Sequence, residues 1–267
     1  MKYGFIGAGN MASAIIKGML KNKVAQPGEI IIYDVDPQAV GRLCTQTGVT
    51  SAESNLNLVN SADCVVLCVK PHILPSVLEA DKGAFKKPLI ISIVAGAAIE
   101  SIEAILGQDI RLCRVMPNIN AEVLESMSAI CYNSIVTEAD KAIIEKIFNS
   151  IGKTVMLSEK YIAAFAGIAG CSPAFTYLFI ESLAKAAHKN GLAKNEAIKI
   201  AAQAVYGSAK MALESNEHPN VLIDKVCSPG GTTIEGIITL DSMGFQSAIV
   251  SAVEATVAKD SKLSQNQ

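Results

Sequence analysis

The first twelve residues constrain the fold more than any other stretch of the chain. Tyr3 to Ile6 carry the signal of a short apolar strand. Gly7-Ala8-Gly9-Asn10-Met11-Ala12 follows at once, and Ala14 to Leu20 reads as a helix. A strand that passes through G-x-G-x-x-A straight into a helix has the pattern and context of a dinucleotide-binding turn. Gly7 permits the tight turn, Gly9 lets the main chain approach a pyrophosphate, and Ala12 keeps helix and strand close. A second strand signal, Glu29–Tyr33, ends in Asp34. An acid at that place accepts hydrogen bonds from the adenosine ribose hydroxyls and repels a 2′-phosphate, which tilts the choice from NADPH toward NADH. Asp34, two residues before Asp36 and close to Pro37, also reads as an Asx-type turn residue.

Strand and helix patterns alternate onward from there. Further strands are expected at Cys64–Val69, Leu89–Ile93, Arg111–Met116, Ser128–Tyr132 and Thr154–Leu157. Helical stretches are expected to fill most of the gaps, for example Gln38–Thr47, Ile99–Leu106 and Glu138–Ser150. That alternation predicts an α/β class with a mostly parallel, doubly wound sheet. Beyond residue 158 strand-like runs cease. Pro173–Asn190, Lys194–Ser215, Ile234–Met243 and Phe245–Ser261 all read as alanine-rich helices, and 262–267 as a frayed end. The expected division is 1–157 for the dinucleotide-binding domain and 158–267 for an all-helical domain. Several of those helices are apolar on more than one side, as in Ala197–Ala212. A helical domain of about 110 residues can hardly bury so much apolar surface alone, so a helix-mediated homodimer is expected.

The chain has 267 residues, half of them apolar, with 23 basic and 25 acidic side chains. No basic stripe points to nucleic acid. No apolar run is expected to cross a bilayer, and no leader peptide is recognisable at the start. Seven cysteines lack C-x-x-C spacing and read as buried free thiols of a reducing, cytoplasmic compartment. Three scattered histidines, His72, His188 and His218, give no metal site.

A second informative segment is V-C-S-P-G-G-T-T-I-E-G-I-I-T-L-D at 226–241. Pro229 ends a preceding element, and Gly230 and Gly231 let a ligand approach the main chain. Thr232 and Thr233 stand where a helix cap belongs, before the apolar-periodic Ile234, Ile237 and Ile238. The free N–H groups and partial positive charge of a helix N-terminus suit a small carboxylate, and the threonine hydroxyls add a hydrogen bond beside it. A capping loop that binds nothing has the same turn chemistry.

With these residues in view the chain resembles the pyrroline-5-carboxylate reductases. The resemblance is carried by F-I-G-A-G-N-M-A at 5–12, C-V-K-P-H at 68–72, R-V-M-P-N at 114–118 and G-I-A-G-C-S-P-A-F at 167–175. A-A-Q-A-V-Y-G-S-A-K-M at 201–211, H-P at 218–219 and the 226–241 segment extend it over the whole chain. It implies an N-terminal Rossmann domain and a helical domain that dimerises, commonly assembling further into decamers. The implied reaction is reduction of 1-pyrroline-5-carboxylate to L-proline by NADH or NADPH, the last step of proline biosynthesis. By the same resemblance, Gly7, Gly9, Asn10 and Met11 would wrap the pyrophosphate, Asn55 would reach the adenosine side, and Val69-Lys70-Pro71 would follow the nicotinamide ribose. Ala95, Gly96, Met116, Pro117 and Asn118 would line the nicotinamide end, with Asn118 and Ser172 toward the substrate. Gly230, Gly231, Thr232 and Thr233 would hold the pyrroline carboxylate, with the Thr233 hydroxyl directed at the ring nitrogen as the catalytic contact. The chain departs from the family's usual residues at Ile119, Asn120, Cys171, Ser172 and Phe175.

Two rival classes share the plan. The beta-hydroxyacid dehydrogenases need a lysine in G-x-x-G-x-G-x-x-x-K, and the frame starting at Gly167 puts Thr176 there, which removes the general base for alcohol oxidation. A non-catalytic nucleotide binder has the fold but no use for the anion-binding segment. Glu217 reads equally as a substrate-facing residue or a solvated helix end, and Lys70 as a residue whose backbone matters more than its side chain.

Overall fold

A computed structural model describes residues 1–265. The chain divides into two compact units, Met1–Gly170 with Val257–Gln267, and Cys171–Thr256.

The first unit is built on one sheet. Its elements are β1 (Tyr3–Ile6), α1 (Asn10–Lys21), β2 (Ile30–Tyr33), α2 (Pro37–Thr47), β3 (Thr50–Ser51), α3 (Asn55–Ser61), β4 (Cys64–Leu67) and α4 (Leu74–Ala80). They continue with β5 (Leu89–Ser92), α5 (Ile99–Leu106), β6 (Leu112–Met116), β7 (Ser126–Tyr132), α6 (Glu138–Asn149), β8 (Gly152–Met156) and the short α7 (Ile162–Phe165). The strand order is β3-β2-β1-β4-β5-β6-β7-β8. All neighbours are parallel except β6 and β7, which pair antiparallel. Chain direction along the sheet therefore reverses between β1 and β4, and a crevice opens where their carboxyl ends diverge. The central strands are mostly apolar because helices cover both faces, with Ser92 in β5 and Arg114 in β6 the buried polar residues. In β1, Phe5 turns to a core shared with Ile15, Ile16, Met19 and Phe148, and Ile6 turns to one shared with Leu58, Leu78, Phe85 and Ile102. Each such side chain, fully buried, contributes about 1.5–3 kcal/mol.

Local chemistry sets the element ends. Asp36 caps α2 by accepting from the Gln38 N–H, and Thr137 and Asp140 form a reciprocal capping box at α6. Every expected strand is present, most displaced by one or two residues. The sequence reading missed β3, which is two residues long, and α3 and α4, each seven residues and too short for a helical period to show.

The second unit is helical: α8 (Ser172–Lys189), α9 (Lys194–Glu214), α10 (Pro219–Val226), α11 (Thr232–Ser242) and α12 (Phe245–Gln265), whose last residues from Val257 group with the first unit. The short α10 is a further element the sequence reading missed. Of the terminal residues expected to be frayed, the helix covers those up to Gln265, and the last two lie outside the described residues. Helices α8 and α9 pack through Ala184, Ala197 and Ala201, and Lys194 donates to Glu181 across them at 2.7 Å. Large apolar residues of this unit remain exposed, with Leu213 and Met243 each 82% exposed.

The expectation that nothing could cross a bilayer requires correction. The helical stretch Glu159–Lys189 is long and apolar enough to do so by length and composition. Gly167, Gly170 and Pro173 read in the sequence as breaks, whereas the chain runs on through a five-residue π-helical turn, Ala166–Gly170. The bent pair α11 and α12 passes the same test when taken together.

Candidate active site

The glycine turn after β1 has the geometry its sequence predicts. Gly7 sits at φ +106°, closed to side-chain-bearing residues, and a Cβ there would lie 2.6 Å from the Cys68 carbonyl oxygen. The Gly7 N–H donates to the Tyr33 carbonyl, which joins the turn to the end of β2. At Gly9 a Cβ would meet nothing within 4 Å, so the main chain is open to close approach. The first helical bond of α1 runs from the Ser13 N–H to the Gly9 carbonyl, and no side chain caps the helix. The N–H groups of Asn10, Met11 and Ala12 therefore lack intrahelical partners, as an anion site requires.

Asp34 follows β2 and reaches back to this turn. One carboxylate oxygen accepts from the Ala8 N–H at 2.7 Å, and the other from the Asp36 N–H at 2.9 Å. The Asx-type turn and the acidic residue at the end of β2 thus coexist in one side chain, which fixes its orientation. Asn55 begins α3, and its Oδ1 is buried with no hydrogen-bond partner, the one such side-chain atom among the described residues. A buried acceptor of this kind calls for a donor from outside the chain.

A cavity of about 330 Å³ lies along the carboxyl ends of β4, β5 and β6, lined by Met11, Val69, Lys70, Pro71, Ala95, Pro117 and their neighbours. Val69, Lys70 and Pro71 are the residues expected along the nicotinamide ribose, Ala95, Met116 and Pro117 are among those expected at the nicotinamide end, and Met11 is expected at the pyrophosphate; Gly96 and Asn118 are not part of this lining. Lys70 itself is exposed, and its carbonyl accepts from the Ile73 N–H. Burial pushes the Cys68 thiol on the cavity wall far above its ordinary range, so it stays neutral. Arg114 also lines the cavity. Its guanidinium, 9% exposed, pairs with Glu159 at 2.8 Å, and the same Glu159 oxygen accepts from the Ile99 N–H at the start of α5. The sequence reading included Arg114 only as part of a motif. A charged residue inside an otherwise apolar strand was the available signal.

Asn118 is committed locally. Its Nδ2 donates to the Ala169 carbonyl at 2.8 Å within the π-turn, and its Oδ1 accepts from the Asn120 N–H. The side chain thus ties the loop after β6 to the last turn before α8. Ser172 is the first residue of α8, directly after that turn.

In the second unit, Gly230 adopts φ +68° and Gly231 is the N-cap of α11. Thr232 and Thr233 are not caps, as expected from sequence, but the first two helical residues. A Cβ on residue 231 would meet Ser228 Oγ and crowd the Ser228 carbonyl oxygen at 3.0 Å, which favours a glycine N-cap and leaves the threonines one place inward. Their backbone N–H groups are then among those left unpaired at the helix start. Thr233 lines a cavity of about 840 Å³ between α9, α10 and α11, together with Gln203, Ser208, Glu217, Lys225 and Cys227. Glu217 lines this cavity while its side chain stays 35% exposed. His218 caps α10, its Nδ1 accepting from the Asn220 N–H, and His188 contacts the Leu192 carbonyl. Among the described residues no three His, Cys, Asp or Glu cluster as a metal would need.

A doubly wound sheet with an open glycine turn, an uncapped helix start and an orphaned buried acceptor on α3 defines the class of dinucleotide-binding proteins, here with an added helical unit. A family model described as "NADP oxidoreductase coenzyme F420-dependent" matches residues 2–96, and one described as "Pyrroline-5-carboxylate reductase dimerisation" matches 159–263. The chain is 41% identical over 266 residues to the pyrroline-5-carboxylate reductase of Escherichia coli strain K12, covering 99% of each chain. It is 39% identical over 253 residues to that of Methanosarcina acetivorans, covering 94% of each. Its structure is similar to a Plasmodium falciparum pyrroline carboxylate reductase with NADP bound, with a TM-score of 0.90, 33% identity, and 99% and 98% of the two chains covered. The chain belongs to the pyrroline-5-carboxylate reductase family.

Proposed function

We propose that this chain reduces 1-pyrroline-5-carboxylate to L-proline, the final step of proline biosynthesis, as a cytoplasmic homo-oligomer. The observation that carries the reading is the start of α11. Two side-chain-free residues, an uncapped helix terminus and the Thr233 hydroxyl bordering a cavity are what a small cyclic imino acid needs. The protein must hold the carboxylate, satisfy the ring N–H and orient the C=N carbon. Backbone N–H groups at Thr232 and Thr233 serve the first need and the Thr233 hydroxyl the second, while the Gly231 N–H is held by the Ser228 carbonyl and Gly231 contributes its open approach. No strong acid is required, because the protonated imine is already electrophilic. When bound, the reduced nicotinamide supplies the hydride to the C=N carbon, and the ring nitrogen keeps its proton as the amine of proline.

Dinucleotide binding falls to the turn at Gly7–Met11, with its open approach at Gly9, to Asn55, whose buried oxygen lacks a donor, to Val69–Pro71 and Ala95 around the smaller cavity, and to Gly96 next in the chain. Asp34 carries a fixed negative charge beside the turn, which favours NADH by repelling a 2′-phosphate. Asn118 and Ser172 frame the substrate end. The working division is residues 1–157 for the cofactor and 158–267 for substrate and assembly. The exposed apolar faces of α8, α9, α11 and α12 support a dimer built through the helices, and further assembly into decamers fits the family.

The test follows loss of NADH and NADPH absorbance with pyrroline-5-carboxylate and with no added substrate, and gain of absorbance from NAD+ and NADP+ with 3-hydroxyisobutyrate. Oxidation of the dinucleotide with the imine alone is expected. Turnover of 3-hydroxyisobutyrate instead, or of neither compound, overturns the reading.

A further inference from the structure

Glu217 and Lys225 form an ion pair in the wall of the cavity that Thr233 borders. The Lys225 ammonium donates to both Glu217 oxygens at 2.6 Å. Neither residue is drawn there by a local helical spacing. Glu217 lies in the link between α9 and α10, after Asn216 in the left-handed conformation at φ +57°, with its N–H donating to Ser215 Oγ. Lys225 comes from the last turn of α10. The strained link thus presents a carboxylate to the cavity and a lysine from a second element holds it. Along the cavity, α9 contributes Gln203, Ser208 and Met211, and α11 contributes Thr233 and Ile237, all uncharged. The ionisable groups of this lining are Glu217, Lys225 and the Cys227 thiol.

The proposed substrate is a zwitterion, a carboxylate on a ring whose nitrogen is positive only while the imine is protonated, and only that form accepts hydride readily. We propose that Glu217 sets the protonation of the bound imine and that Lys225 moderates it. This rests on the functional reading above. The carboxylate favours the protonated ring nitrogen and so raises the imine's apparent pKa in the complex. The ammonium offsets part of that field. A unit charge at roughly 5–10 Å, at an effective dielectric of about 40, moves such a titration by roughly half to one pH unit.

The experiment measures single-turnover hydride transfer at saturating pyrroline-5-carboxylate against pH, for wild type, Glu217→Gln, Lys225→Met and the double variant. In Glu217→Gln the alkaline limb moves to lower pH. In Lys225→Met, where the carboxylate is unopposed, it moves to higher pH. The double variant returns toward wild type. The alkaline limb of kcat/KM that reports the free imine stays in place in all four, because it belongs to the unbound substrate. A merely structural role for the pair would lower rates in both single variants without opposite displacements. Displacements in the same direction, or none in variants whose near-ultraviolet circular dichroism matches wild type, overturn the inference. A wild-type protein that fails to reduce the imine at any pH overturns the functional reading itself, which is a distinguishable result.

Discussion

Replacing Gly7 and Gly9 separately by alanine tests the dinucleotide turn, because the two positions fail for different reasons. At Gly7 the backbone sits at φ +106° and the new methyl group would lie 2.6 and 2.8 Å from the carbonyl oxygen and carbon of Cys68. Holding an alanine at such an angle costs about 1–3 kcal/mol. Displacing the backbone after β4 to relieve the clash costs about 1–3 kcal/mol more. A total near 4 kcal/mol lowers Tm by roughly 8–16 °C in a chain of this size. At Gly9 the backbone is extended, at φ −75° and ψ −173°, and the methyl group meets nothing within 4 Å. Stability there changes by no more than about 0.5–1 kcal/mol. The methyl group nevertheless occupies the space through which a pyrophosphate approaches the first turn of α1, so dinucleotide affinity falls at least about tenfold, or ~1.4 kcal/mol. Thermal unfolding by circular dichroism and fluorescence titration with NADPH separate the two effects. Unchanged dinucleotide affinity in Gly9→Ala, or a wild-type melting temperature in Gly7→Ala, refutes the reasoning.

Other expectations concern single side chains. Thr233→Ala should lower kcat/KM roughly tenfold or more through loss of a hydrogen bond to a charged group, with Thr233→Ser keeping most of it; wild-type kinetics in the alanine variant would discard the role. Asp34→Ser should raise the ratio of kcat/KM for NADPH over NADH roughly tenfold, and an unchanged ratio would remove Asp34 from cofactor choice. Arg114→Met leaves Glu159 with the Ile99 N–H alone and should cost about 2 kcal/mol in urea unfolding, discounted because Glu159 is 31% exposed; Glu159→Gln added to it should recover part of the loss. Burial pushes the thiols of Cys64, Cys68 and Cys113 far up and that of Cys131 to about 11. Folded values above the unfolded one mean that stability is complete below about pH 8.5 and falls as pH rises toward the folded values. Urea unfolding at pH 8 and pH 10 should therefore show lower stability at pH 10, and equal values would contradict the burial of these thiols.

The parts of the fold legible from sequence are those where one physical signal dominates. The turn at Gly7–Ala12 was readable because strand, glycines and helix are adjacent, and Ile99–Leu106 because eight residues keep a helical period. Short elements such as β3 and α3 carry too few residues for periodicity. The threonines at 232 and 233 lie one position further into the helix than cap propensity predicts, because propensity favours a hydroxyl at the cap whereas crowding by Ser228 favours a glycine there. Likewise, nothing in the spacing of residues 217 and 225 foretells that a left-handed Asn216 would turn a carboxylate toward a lysine on the next helix. The tie from Asn118 to Ala169 was equally hidden, since it joins residues 51 positions apart through a π-turn with no sequence signature.

In the proposed reaction, hydride passes from a dinucleotide bound by the N-terminal sheet to an imine bound at the start of α11, within one chain or across two subunits. Reduction of pyrroline-5-carboxylate with nicotinamide carrying deuterium at the transferred position tests this most directly, read by mass spectrometry of the product. The expected result is proline bearing one deuterium on the former C=N carbon, formed by the wild-type chain and strongly reduced in Thr233→Ala. Proline lacking the label, or no proline at all with either dinucleotide, would contradict it.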